Sequence, residues 1–127
     1  MKHEKGWNPF MEYNGIEIVS ESEERTVLKA QLNENSLNPY GMIHGGLMYT
    51  MIDCAAGITA RADGQLYVTQ NTYVNYLSNV KGEKEIFAEA KPVRRGSTVV
   101  VLHVTVSTAD GKLLADGMVD MFHIQER

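Results

Sequence analysis

Three residue types within ten positions carry chemistry: His44, the pair Gly45-Gly46, and Asp53, all inside NPYGMIHGGLMYTMIDCAAG, residues 38–57. Glycine is costly inside a helix, yet here a pair of them opens an apolar run with helical spacing. Helix N-termini leave backbone N–H groups unpaired and carry the positive end of the macrodipole. The Gly45 amide, unshielded by a side chain, therefore suits an acyl carbonyl whose oxygen gains negative charge. The glycines suit tight helix-to-strand packing equally well, and the local pattern does not choose. Asp53 lies in MYTMIDCAAGITA, where a carboxylate is costly to bury unless it faces water or a partner. On an acyl group it would act as general base toward water or as nucleophile. His44 is of the residue type that serves as a base at neutral pH. Cys54 is a candidate nucleophile by type, but its helical neighbours favour a small packing residue.

The elements that must position these groups follow from periodicity. Apolar residues at 43, 47, 48, 51, 52, 55 and 58, followed by Thr59, recur with helical spacing, which predicts a helix from Gly41 to about Ala62. Downstream, residues 66–77, 85–93, 97–108 and 112–124 are rich in β-branched and aromatic types and are separated by Lys81-Gly82, Arg95-Gly96 and Asp110-Gly111. They read as consecutive antiparallel strands. Upstream, GIEIVS and RTVLKAQL flank the charged ESEE and read as a hairpin. One helix and several strands give an α+β class, with a curled sheet covering a helix that is apolar round much of its girth.

Spacing then limits the site. Gly45 and Asp53 are eight residues apart, roughly 12 Å along a helix. Groups acting on one carbonyl must lie within about 3 Å of its reacting atoms, so one helix cannot supply both. Two copies related by a two-fold axis can, with Asp53 of one facing Gly45 of the other. Ala55, Ala56, Gly57 and Ala60 are small enough for close helix approach, between chains or within one.

Composition narrows the class further. The 127 residues, 43% apolar, fit a single domain spanning 1–127. A formal net charge of −4, with 12 basic and 16 acidic residues and no basic run, argues against a nucleic-acid partner. MKHEKGWNPF has no apolar h-region, and no stretch approaches the roughly 20 apolar residues of a membrane span. With Cys54 the lone cysteine, neither an internal disulfide nor a cysteine metal site is available. A soluble, cytoplasmic protein without membrane attachment is expected.

The pattern Asn38-x-x-Gly41-x-x-His44-Gly45-Gly46 followed by Asp53 resembles that of hotdog-fold acyl-CoA thioesterases of the phenylacetate-pathway (PaaI-like) type, over about Gly15 to His123. The resemblance implies a hotdog fold, a long central helix wrapped by a curved antiparallel β-sheet, assembled as homodimers and often homotetramers. It implies hydrolysis of an acyl-CoA thioester to free acid and coenzyme A, with no metal and no redox cofactor. By position, Gly45 would polarise the carbonyl with help from Asn38, Asp53 would be base or nucleophile, and Thr69 would help to hold the water. His44 would be largely structural, capping or orienting the loop.

Arg94, Arg95 and Gly96 form the one local basic cluster, and guanidinium matches the phosphates of coenzyme A; a solvated hairpin tip is the alternative. Lys81 and Lys84 are weaker candidates of the same kind. Tyr67, Tyr73, Tyr76 and Phe87 would line an acyl pocket or fill the core. Two other functions share the cleft: a non-catalytic acyl-CoA or lipid-binding module, and an enoyl-CoA hydratase-type enzyme.

Overall fold

The computed structural model describes residues 7–125, so residues 1–6 of the stretch MKHEKGWNPF, read above as having no apolar h-region, lie outside them. Its long helix is α2 (Gly45–Arg61), and six strands surround it: β1 (Ile16–Ser20), β2 (Thr26–Gln31), β3 (Leu66–Tyr76), β4 (Glu85–Arg95), β5 (Val99–Thr108) and β6 (Leu113–Ile124). They form one antiparallel sheet in the order β1-β2-β4-β5-β6-β3. The α+β class and the wrapped helix are as expected.

The helix begins four residues later than the periodicity predicts. Gly41 has φ +77° and belongs to a turn, and His44, in extended conformation, caps the first turn. A short helix, α1 (Pro9–Tyr13), has no counterpart in the sequence reading. Its signal is Asn8-Pro9: the Asn8 side chain accepts from the Met11 N–H, and proline fits the first helical position.

Strand alternation builds the core. Leu28, Ala88, Leu102 and Val119 are fully buried, and they meet Met51, Ile52, Ala55 and Ala56 of α2. Ala55, Ala56 and Ala60 have no exposed surface, so of their two possible uses it is packing within the chain that these alanines serve. The close approach extends to β6, where a Cβ at Gly117 would stand 2.9 Å from the Ile52 side chain. The helix is covered on most sides, yet Gly46, Tyr49 and Arg61 are exposed and Thr50, Asp53 and Cys54 half-buried. These residues form an open stripe along it.

Two irregularities re-aim side chains. The β3–β6 register slips between Thr69 and Asn71, so Gln70 is the extra residue of a bulge and the inward phase of β3 changes there. Tyr67 and Thr69 face α2 before it; Thr72, Val74 and Tyr76 do so after it. In β4 the register shifts between Pro92 and Arg94. Pro92 falls where β4 has run past β2, whose last partner pair is Thr26–Ala90, and a residue without an N–H is tolerated at such a place.

Candidate active site

At the head of α2 the two glycines have different reasons. The Gly46 N–H donates to His44 Nδ1 at 2.8 Å, and a Cβ on Gly46 would come within 2.9 Å of that nitrogen. Gly46 is what lets a histidine cap this helix. A Cβ on Gly45 would press on the Tyr76 ring at 3.3 Å. The His44 carbonyl accepts from the Leu47 N–H at 3.1 Å. The trans peptide following it therefore turns the Gly45 N–H outward, where it meets no acceptor among the described residues.

The loop before the helix is tied just as closely. Asn38 Oδ1 accepts from the N–H groups of Tyr40 at 2.9 Å and Met42 at 3.1 Å. That leaves its Nδ2 as the free end. Asn79 pairs with the Ile43 backbone in both directions, accepting at 3.2 Å and donating at 2.9 Å. Asn38, Gly45, Tyr76 and Asn79 line one cleft of about 340 Å3. Gly45, at the helix end, and Asn38, with its free Nδ2, thus border one space.

Asp53 lies on the open stripe, two turns further along α2. Thr69 Oγ1 donates to Asp53 Oδ1 at 2.7 Å. No Lys, Arg or His among the described residues pairs with this carboxylate. Next to it, the Cys54 thiol accepts a long contact from Asn8 Nδ2 at 3.9 Å. Burial, with the neighbouring Asp53 charge, pushes the thiol pKa up to about 11, so at neutral pH it is no nucleophile. A far larger cavity of about 1310 Å3 lies between α1, β1 and the C-terminal half of α2, lined by Trp7, Met11, Ile16, Ile58 and Leu66. Asp53 lines neither space.

The basic cluster divides. Arg95 reaches back to the end of α2, where its guanidinium donates to the carbonyls of Thr59, Ala60 and Glu23 at 3.0, 3.1 and 3.0 Å and pairs with Asp63 at 3.1 Å. It serves as the cation that closes a helix C-terminus. Tyr67, a buried residue, donates to the same carboxylate at 2.6 Å. Burial raises the Asp63 pKa, but the bonds from Tyr67 and the Gln65 N–H and the Arg95 charge outweigh it and hold the carboxyl below its ordinary range. Arg94 is exposed, and Gly96 donates its N–H to Val99 across the turn.

Within one chain, then, Asn38 is brought to Gly45 and Thr69 to Asp53, while the two groups stay apart on the same helix. His44 belongs to the first group as its cap. Of the strand aromatics only Tyr67 enters the core; Tyr73 is exposed, Phe87 lies on the outer face of β4, and Tyr76 faces the Gly45 cleft. The contributions of Tyr76 and Asn79 to the head of the helix depend on the bulge and on a long-range loop contact, which residue spacing does not signal.

Residues 40–115 match the Thioesterase superfamily. The chain belongs to that family. This superfamily member is 27% identical over 105 residues to mouse (Mus musculus) acyl-coenzyme A thioesterase 13, covering 80% of this chain and 75% of the relative. Its fold matches smu.793 of Streptococcus mutans, solved bound to acetyl CoA, with a TM-score of 0.86, 26% identity and 99% of each chain covered. It also matches a mutant of the phenylacetic acid degradation protein PaaI from Thermus thermophilus at a TM-score of 0.86 and 23% identity, covering 92% of this chain and 100% of that one. The hotdog fold and thioester-hydrolase family expected from the Asn38 to Asp53 pattern are therefore those of this chain. Among the described residues no helix is long and apolar enough to cross a membrane.

Proposed function

We propose that this superfamily member hydrolyses an acyl-CoA thioester to the free acid and coenzyme A in sites shared between two copies of the chain. Gly45 N–H and Asn38 Nδ2 of one copy receive the carbonyl oxygen as it becomes an oxyanion; Asp53 of the other, steadied by Thr69, acts on water or on the carbonyl carbon. The observation that carries this reading is the separation of the two half-sites on one helix. A donor pair without a base and a base without a donor pair make sense when a second helix runs the opposite way beside the first.

The sheet edge supports the same arrangement. β3 is 11 residues long, pairs among the described residues with β6 on one side only, and exposes Leu66, Val68, Tyr73 and Tyr76. A long apolar edge of this kind is a template for another strand, and β3 of a second copy would fill it. Acyl-CoA as substrate is supported by the acyl-coenzyme A thioesterase relative and the acetyl-CoA-bound neighbour. Arg94, the exposed cation of the turn cluster, is the proposed phosphate contact; Arg95 is spent on the helix end.

The test is thiol release from a panel of acyl-CoAs by wild type and by Asp53→Ala. Wild type should turn over at least one of them and the folded variant should lose at least about a hundredfold in kcat. Binding without turnover, or full rate in the variant, overturns the role of Asp53.

A further inference from the structure

The peptide between Gly45 and Gly46 is held at both ends. Its N–H donates to His44 Nδ1 at 2.8 Å, and its carbonyl accepts from the Tyr76 hydroxyl at 3.0 Å. The Tyr76 ring also stands where a Cβ on Gly45 would be, at 3.3 Å. Glycine is the residue freest to rotate about its own φ and ψ, so an amide donor carried by glycine has the weakest intrinsic aim. At Gly45 the neighbouring groups supply what a side chain would otherwise restrict.

We propose that Tyr76 is a positioning residue of the thioester site: its hydroxyl and ring hold the Gly45–Gly46 peptide so that the Gly45 N–H stays aimed at the acyl oxygen. The proposal rests on Gly45 being the oxyanion donor. Three features place Tyr76 in this role. The bulge at Gln70 sets the phase that turns Tyr76 inward, toward the head of α2. The next residues of the same segment continue the clamp, since Asn79 binds both backbone groups of Ile43 just upstream. Burial and the nearby Tyr49 hold the Tyr76 pKa above its ordinary value, so the hydroxyl keeps at neutral pH the proton that it donates.

The hydroxyl does not act on the substrate; it already donates to Gly45. Tyr76→Phe keeps the ring and removes one hydrogen bond, which corresponds to a fall of about three- to tenfold in kcat with KM little changed. A purely structural tyrosine would instead lower the melting temperature and leave the kcat of the folded enzyme alone. Amide hydrogen exchange at Gly46, whose N–H belongs to the held peptide and is protected by its bond to His44 Nδ1, followed by NMR in unliganded protein, gives a readout that needs no turnover. Exchange should be faster in Tyr76→Phe than in wild type, whereas unchanged exchange or unchanged kcat overturns the proposal.

A double-mutant cycle tests the ring. Gly45→Ala should lower kcat by pushing on Tyr76, and pairing it with Tyr76→Leu should cost less than the product of the two single losses, because the clash is removed. Multiplicative losses overturn the part assigned to the ring. If wild type releases no thiol from any acyl-CoA, the hydrolase reading fails by itself, and the Gly46 exchange rates still decide whether Tyr76 holds this peptide.

Discussion

At the C-terminal end of α2, Arg95 gathers the carbonyls of Thr59 and Ala60 together with Asp63, and Tyr67 completes the set. At the N-terminal end His44 takes one amide, Tyr76 takes one carbonyl, and the Gly45 N–H between them is left pointing outward. Both ends are held by side chains from distant parts of the chain. They differ in that one end uses up its polar groups and the other keeps a single donor in a fixed direction. Unpaired N–H groups are usual at a helix N-terminus; what sets this one apart is that Gly45 borders a cleft together with Asn38 and Tyr76.

Substitutions at the two ends should therefore fail in opposite ways. The largest effect is expected at Gly45, where Gly45→Pro deletes the free N–H at a first helical position whose backbone suits proline. It also adds the same Cβ contact with Tyr76 as Gly45→Ala, so the loss beyond that of Gly45→Ala reports the N–H. Gly45→Pro should lower kcat by about a hundredfold or more while circular dichroism stays near wild type. Asp53→Asn should do the same. Co-refolded in equal amounts, the two inactive variants should recover about a quarter of the wild-type rate, because half of the dimers are mixed and each carries one complete site of two. No recovery would place Gly45 and Asp53 in sites that do not meet, and would remove the reason for comparing the ends as chemical and structural.

The Arg95→Ala variant is expected to show the reverse. Losing several charge-assisted bonds at a half-buried position should cost about 2–3 kcal/mol in urea unfolding, with kcat of the folded protein within about twofold of wild type. The lost part should also have a pH dependence. Asp63 has a depressed pKa in the folded protein, so its contribution is present above the ordinary 3.8 and fades as pH falls below it. In Arg95→Ala that acid limb should flatten only in part, because the larger lowering contributions, the bonds from Tyr67 and the Gln65 N–H, remain. A large loss of kcat with unchanged stability would instead bring Arg95 back as a substrate contact.

How much of this was readable beforehand differs along the helix. Its buried face was legible because seven apolar positions keep a 3.6 period, and the half-site separation followed from rise per residue alone. The start was not, because His44 is an unusual cap and Gly41 continues the apparent pattern while its φ of +77° breaks it. Asn38 and Thr69 came from a family resemblance, and spacing gave no reason to pair Thr69 with Asp53. The bulge at Gln70 carries no glycine to announce it, so strict alternation along LYVTQNTYVNY turns Tyr73 rather than Tyr76 toward the helix. Arg95 read as half of a surface cluster because its partners, Thr59, Ala60 and Asp63, are more than 30 residues away.

The smallest effect is expected midway between the ends, at Cys54. Its neighbour Asp53 is the proposed base, so a reactive thiol there would blur the assignment of the chemistry to the carboxylate. The folded pKa of about 11 stands against an ordinary value of 9.0, and a shift of two units lowers the thiolate fraction at pH 8 by about a hundredfold. Iodoacetamide should accordingly label the native protein far more slowly than the urea-unfolded chain at the same pH. The folded state also binds more protons than the unfolded state between these two values. The stabilisation is thus complete below pH 9.0 and declines as pH rises through 11. Cys54→Ala should unfold at a urea concentration that varies less with pH across this window than wild type does, and its kcat should stay within about threefold. Fast labelling of native protein at pH 8 with loss of turnover would move the nucleophile from Asp53 to its neighbour, and the middle of α2 would then need to be counted with its N-terminal end.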